Sequence, residues 1–322
     1  MKSEKIDTAE KVSDLAKQLE DGVKQIFQDG EYEKFLKMVS ALPRHSINNN
    51  LLIYMQNPEA TYVAGFKKWQ ELGRHVKKGE KGIKILAPMT YKKEVESKSH
   101  EEQKEEVIIV GFKPVYVFDV AQTEGEPLVM FPHRLEANVH NFEKIMEALR
   151  KISPFPISIE PILNGANGYC SWSENKIVIR ENLSEAHSVK TAIHEIAHAI
   201  LHVNNNQETS RETKEIEAES VAYIVTNYYG IDSSDYSFAY VAGWAADEKL
   251  TQLQQSIKTI QESASKIINE LDAAFHELGL EFFEEKEVVT VKEKLKSAKE
   301  KVKDEKVLNK DINKEKSFEV CR

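Results

Sequence analysis

Cysteine is nearly missing from this chain, with Cys170 and Cys321 the two examples in 322 residues. So sparse and distant a pair excludes a disulfide framework and any CxxC metal site. Long apolar runs are missing too: no stretch approaches the roughly 20 residues that cross a bilayer, and no secretory apolar core is present. The expectation is a cytoplasmic protein with no membrane partner. An excess of positive charge is also absent, since 44 Lys and Arg against 53 Asp and Glu leave a net charge of -9. That balance rules out a uniformly basic coat, so any affinity for nucleic acid must be local. What the chain does have is 41% hydrophobic residues, enough at this length for two ordinary cores.

The most informative segment is His194-Glu195-Ile196-Ala197-His198, inside the apolar run from Thr191 to His202. Two imidazoles four residues apart lie one turn apart on one helical face, close enough to share a metal ion, with Glu195 beside them as a base for water. Val189, Ile193, Ile196, Ala197, Ile200 and Leu201 supply the apolar stripe of a buried helix, and Ser184 followed by Glu185 offers its N-terminal cap. A zinc site of this kind needs a third protein ligand. His202 continues the four-residue spacing, but it stands eight residues from His194, roughly 12 Å along the axis, too far for one ion.

The better source is Lys214 to Val225, where Glu215, Glu217 and Glu219 enter an apolar helical run. Glu215 and Glu219 share a face, so that one can bind metal while the other orients a ligand histidine. Glu217 competes for the first role, one helical step away. Upstream, Ile157-Glu160, Gly168-Trp172 and Lys176-Arg180 are short β-rich runs separated by turn signals, which predicts a small antiparallel sheet. The run Lys176 to Arg180, charged at both ends, reads as an edge strand, and the likeness to zincins in general implies that this edge borders the cleft and can pair with an extended peptide.

These two helical segments resemble the ImmA/IrrE family of zinc metallo-endopeptidases and, more broadly, the gluzincins. The resemblance implies Zn2+ held by His194, His198 and Glu215, with Glu195 as catalytic base and Glu219 in the supporting position. Many gluzincins carry Asp where this chain has Glu219. No donor for the developing oxyanion is assigned among Tyr223, Tyr228, Tyr229, Tyr236 and Tyr240.

A second signal lies upstream. Between Phe66 and Lys93, nine basic side chains stand against Glu71 and Glu80 alone, interleaved with aromatic rings. Basic groups attract phosphates and exposed rings stack bases, a pairing suited to single strands. The segments Asn49-Asn50-Leu51-Leu52, Ala60 to Gly73 and Val76 to Ile83, extended by Val115 to Gly125, resemble the N-terminal domain of the ArdC antirestriction family. That resemblance implies single-stranded DNA binding, for which Lys67, Lys68, Trp69, Arg74, Lys77, Lys78, Lys81 and Lys84 are the candidate residues. Glu94 to Glu106 departs from it and reads as an exposed acidic loop joining two strands.

The organisation expected is α+β: an ArdC-like domain over 1–130, a linker at 131–137 and a zincin-like metallopeptidase domain over 138–250. An amphipathic helix at 251–284 and a charged helical or disordered tail at 285–322 follow. The helix carries Leu253, Ile257, Ile260, Ala264, Ile267, Leu271, Ala274 and Leu278 at heptad-like spacing and is expected to pack on the chain itself. The function expected is a zinc endopeptidase with a single-stranded DNA-binding domain, acting on a protein substrate as a mobile-element antirestriction or regulator-processing protein. The competing reading is a DNA-coating antirestriction protein with a non-catalytic metal site. Glu195 separates the two, because a merely structural site has no use for a general base.

Overall fold

The computed structural model describes residues 15, 17–28, 30–95, 104–127, 139–163, 165–202, 209–231, 236 and 238–280. Helices α1 (residues 17–26), α2 (Glu31–Ala41) and α3 (Ile47–Gln56) come first. Helix α1 buries Val23 and Ile26, and α3 ends at Gln56, two residues ahead of Pro58, which disfavours helix in the residue before it. Helix α2 does not announce itself, because its N-cap is Gly30 in a left-handed conformation with no side-chain cap. Its Tyr32, Phe35, Leu36 and Val39 are nonetheless buried. Helix α3 starts at Ser46, whose side chain accepts from Asn49 N, the usual way to satisfy a free first-turn amide.

A three-stranded antiparallel sheet follows, in the order β1 (Val63–Gly65), β4 (Lys104–Asp119), β3 (Ile83–Val95). The short helix α4 (Phe66–Glu71) sits after β1, closed by Gly73 at φ +70° as the sequence indicates. Strands β2 (Arg74–Val76) and β5 (Thr123–Gly125) form a separate antiparallel pair. Residues 107–118 lie within one continuous strand, β4. The acidic segment is partly strand as well, with Glu94 in register with Glu105, while residues 96–103 lie outside the described ones.

Helix α5 (Val139–Ile152) leads into a second sheet ordered β6 (Ile157–Glu160), β8 (Lys176–Arg180), β7 (Gly168–Ser171). This sheet is mixed: β8 runs parallel to β6 and antiparallel to β7. The expected placement of Lys176–Arg180 at an edge is therefore corrected, since it is the central strand. Ile177, Val178 and Ile179 are all buried, and a run buried on both faces is the mark of an inner strand. The edge nearest the helix that carries His194 and His198 is β7.

Helices α6 (Glu185–Leu201), α7 (Arg211–Tyr228), α8 (Val241–Asp247) and α9 (Leu250–Glu277) complete the described chain. Ser184 caps α6 through His187 N, and Ser210 caps α7 through Thr213 N. Helix α9 buries its stripe of Leu253, Ile257, Ile260, Ala264, Ile267 and Leu271 against α7, α5 and α3 of the same chain. Helix α2 lies on α7, so the helices before the first sheet share one hydrophobic core with those that follow the second. Among the described residues, no helix is long and apolar enough to cross a membrane. The tail at 285–322 lies outside the described residues.

Candidate metal centre

Packing of α6 against α7 brings the sequence-predicted donors together. His194 Nε2 and His198 Nε2 are 3.0 Å apart, and Oε2 of Glu215 stands 3.7 Å from the first and 3.5 Å from the second. Three donors held about 2.0–2.1 Å from an ion at tetrahedral angles are separated by roughly 3.3–3.4 Å. The triangle of Nε2, Nε2 and carboxylate oxygen thus has the dimensions of a tetrahedral site with one corner open. No other group of three His, Cys, Asp or Glu donors among the described residues converges in this way.

The surrounding charge favours a cation. Burial works against a charged His194, yet the carboxylates of Glu215 and Glu219 beside it outweigh it and push its pKa up to about 10. The same contacts with His194 and His198 hold Glu215 well below the usual carboxylate range. A proton on His194 does here what a metal ion does when bound, and ion and proton compete for the nitrogen. Glu219 Oε2 lies 3.3 Å from His194 Nδ1 without the alignment of a hydrogen bond. The approach is ionic, on the side of the ring away from the donor triangle. Glu217 is turned away from these groups and bonds instead to His202 and Ser256.

Glu195 is 7% exposed. Burial raises its pKa, and the neighbouring imidazoles pull it back. Strand β7 approaches α6 so closely here that a Cβ on Gly168 would stand 2.5 Å from Thr191 Cγ2 and 3.2 Å from Glu195 Oε1. The backbone of Cys170 on the same strand hydrogen-bonds Glu195. A cavity of about 380 Å³ opens beside these groups, lined also by Asn167, His187, Lys190 and Tyr236. Lys190 Nζ lies 4.2 Å from the Tyr236 ring centroid. A larger hollow of about 990 Å³ lies between the turn at Arg44 and His45 and helix α9, away from the donor triangle. Tyr240 is half exposed, and burial together with the charges of Glu219 and Glu215 pushes its phenol up to about 12. Nothing in the sequence separates Tyr236 and Tyr240 from the other downstream tyrosines, because neither stands within a helix or strand whose period would set its direction.

The candidate DNA-binding residues divide. Lys67, Lys68, Lys77, Lys78 and Lys81 are exposed and Lys84 is half-buried. Lys77 Nζ donates to Ala121 O, and Lys68 pairs with Glu71 at 3.6 Å. One candidate, Trp69, is corrected, and another, Arg74, is already engaged within the fold. Trp69 is fully buried with Nε1 donating to Phe118 O, so it has no face for a base. Arg74 clasps β5 through Thr123 Oγ1, Thr123 O and Glu126 O. The exposed rings are instead Phe66, Tyr91, Phe112 and Tyr116. Tyr116 lies opposite Lys84 on the β3–β4 ribbon and covers Gly82, where a Cβ would come within 3.0 Å of it.

The sequence of this arrangement has relatives in two directions. Residues 7–118 match the family model for the N-terminal domain of anti-restriction factor ArdC, and residues 157–235 match that for the IrrE N-terminal-like peptidase domain. The chain thus joins an ArdC-like N-terminal part to an IrrE-like part. An uncharacterized protein of Bacillus anthracis is 31% identical over 286 residues, covering 76% of this chain. The chain spans about half the length of that curated relative, 48%. Two crystal structures of a plasmid-borne antirestriction ArdC protein are similar as well. The metal-free form has TM-score 0.47 at 20% identity, covering 74% of this chain and 87% of that one. The Mn(II)-bound form has TM-score 0.49 at 19% identity, covering 80% and 97%.

Proposed function

We propose that this chain is a zinc-dependent endopeptidase that works in association with single-stranded DNA, as an antirestriction or regulator-processing protein of a mobile element. The observation that carries the reading is the donor triangle of His194, His198 and Glu215 with the buried carboxylate of Glu195 alongside it. His194 Nε2, His198 Nε2 and a Glu215 oxygen would hold the ion. Bound there, zinc lowers the pKa of a water to about 7 and polarises a carbonyl. Glu195 takes the proton from the attacking water and returns it to the leaving amine as the amide C–N bond breaks. Its raised pKa suits both halves of that transfer. The open edge of β7, lying against α6, suits an extended peptide that pairs by main-chain hydrogen bonds.

Single-stranded DNA fits the ribbon of β3 and β4, where Lys84 lies opposite the exposed ring of Tyr116, with Lys81 just ahead of β3 and the exposed ring of Phe112 further along β4. The match to an anti-restriction N-terminal domain supports that half of the reading. A proteolysis assay on the full chain, loaded with zinc, with and without single-stranded DNA, tests the whole. Cleavage that Glu195→Gln abolishes is the expected result. Stoichiometric zinc without any cleavage of DNA-binding or free substrates would favour the DNA-coating alternative.

A further inference from the structure

A line of buried polar side chains leaves the donor triangle on its inner side. His198 Nδ1 lies 3.0 Å from His202 Nδ1, His202 Nε2 lies 3.3 Å from Glu217 Oε2, and Ser256 Oγ donates to Glu217 Oε1 at 2.8 Å. The four residues come from α6, its C-cap, α7 and α9, and each is exposed by 9% or less. A carboxylate and two imidazoles in an apolar core are costly unless every polar atom is bonded.

The hydrogen positions in this line follow from its far end. Glu217 accepts from Ser256, and as a carboxylate it can only accept from His202, so His202 Nε2 carries a hydrogen. In neutral His202 the other nitrogen, Nδ1, is then a lone pair. Facing it at 3.0 Å, His198 Nδ1 must be the donor. That leaves the lone pair of His198 on Nε2, the atom that faces His194 and Glu215. A single chain of donors and acceptors therefore selects the tautomer a metal ligand needs. Glu219 stands behind His194 on its Nδ1 side, so each imidazole has a carboxylate at its back, one direct and one through His202.

We propose that His202 and Glu217 are positioning residues for the metal centre, fixing the tautomer and ring angle of His198 from within the helical core. The inference rests on the reading of His194, His198 and Glu215 as metal ligands. It gives a role to the histidine that spacing removes from the ligand set and to the carboxylate that loses to Glu215.

The test is zinc affinity of the metal-free full chain, measured by competition with a chromophoric chelator, together with the visible spectrum of the cobalt-substituted protein. His202→Phe should weaken zinc binding about 10–100-fold and alter the cobalt bands. His202→Asn, whose amide can accept near the position of Nδ1, should recover most of the loss. Glu217→Gln keeps shape but weakens the acceptor, and should fall between wild type and His202→Phe. Binding within about twofold of wild type in both His202→Phe and Glu217→Gln, with unchanged cobalt spectra, would overturn the proposal. If His202→Phe fails to fold, Glu217→Gln and Ser256→Ala decide alone by the same criterion. Failure of the wild type to take up zinc, or its uptake by His194→Ala unchanged, overturns the ligand reading itself and the relay with it.

Discussion

The α6–α7 centre and the β3–β4 ribbon carry their chemistry in opposite ways. In the centre, the side chains are aimed by helices and committed to particular neighbours, with His198 and Glu195 buried, His194 half-buried and Glu215 at the exposed rim: His194 meets Glu215 and Glu219, His198 meets His202, and Glu195 meets the backbone of β7. On the ribbon, Phe112, Tyr116 and Tyr91 are half or more exposed, Lys113 is exposed and Lys84 is half-buried. Burial makes a group indispensable and singular, because low dielectric magnifies both the contact and the penalty of losing it. Exposure makes contributions small, similar and replaceable. One region should thus fail at a single atom, and the other should fade by degrees.

The largest effect expected is in the centre. Glu195→Gln should retain zinc and lose proteolysis by about 10²–10⁴-fold, the contribution of a positioned general base, read as initial cleavage rate at saturating zinc. Cleavage at the wild-type rate would break the comparison at its strongest point.

The two aromatic fates sharpen the contrast. Trp69→Ala should cost about 3–5 kcal/mol of stability through the cavity it leaves, visible in chemical denaturation. Tyr116→Ala should leave stability nearly intact and weaken single-stranded DNA by about 1–3 kcal/mol, the worth of one stacked base. A reversal of these roles would mean that the ribbon is packed and the α4 region open.

An intermediate effect is expected at Cys170. Its thiol, on the strand that contacts Glu195, is pushed up to about 12 by burial and by the Glu195 charge. At pH 8 the thiolate is scarcer than in a free cysteine by about 10³-fold, which the greater nucleophilicity of a basic thiolate offsets in part. Iodoacetamide should modify Cys170, located by peptide mapping, about 30-fold more slowly than free cysteine. The rate should climb as pH rises toward 12, and Glu195→Gln should quicken it at pH 8. Labelling at the free-thiol rate would show that the β7 edge opens in solution.

What the sequence revealed differs between the regions for the same reason. Helix α6 was legible because motif, apolar period and Ser184 cap all fall in register, and α9 because its stripe repeats over 28 residues. The relay through His202 was not, since spacing says which residues share a face but not that α9 delivers Ser256 to Glu217. Charged flanks at Lys176 and Arg180 suggested an edge strand, although three consecutive buried residues between them pointed inward. On the ribbon, composition counted rings and lysines correctly and could not sort Trp69 from Tyr116, because burial of an aromatic residue is decided by distant packing.

The smallest effect separates lysines that are free to meet phosphate from basic groups already committed. Lys78 and Lys81 are exposed, whereas Lys77 donates to Ala121 O and Arg74 makes three bonds to β5 and the residue after it. A phosphate contact to a single strand contributes about 0.7 to the slope of log affinity against log salt. Replacing Lys78 and Lys81 together by Gln should therefore lower that slope by about 1.4 and weaken binding across sequences at low salt. Lys77→Gln should lower it by less, because its ammonium must leave a carbonyl to reach the strand. Arg74→Gln should act on stability rather than on the slope, since its guanidinium holds β2 to β5. Fluorescence anisotropy of a labelled oligonucleotide across a salt series reads all three, and equal slopes in every variant would remove this face from the interface.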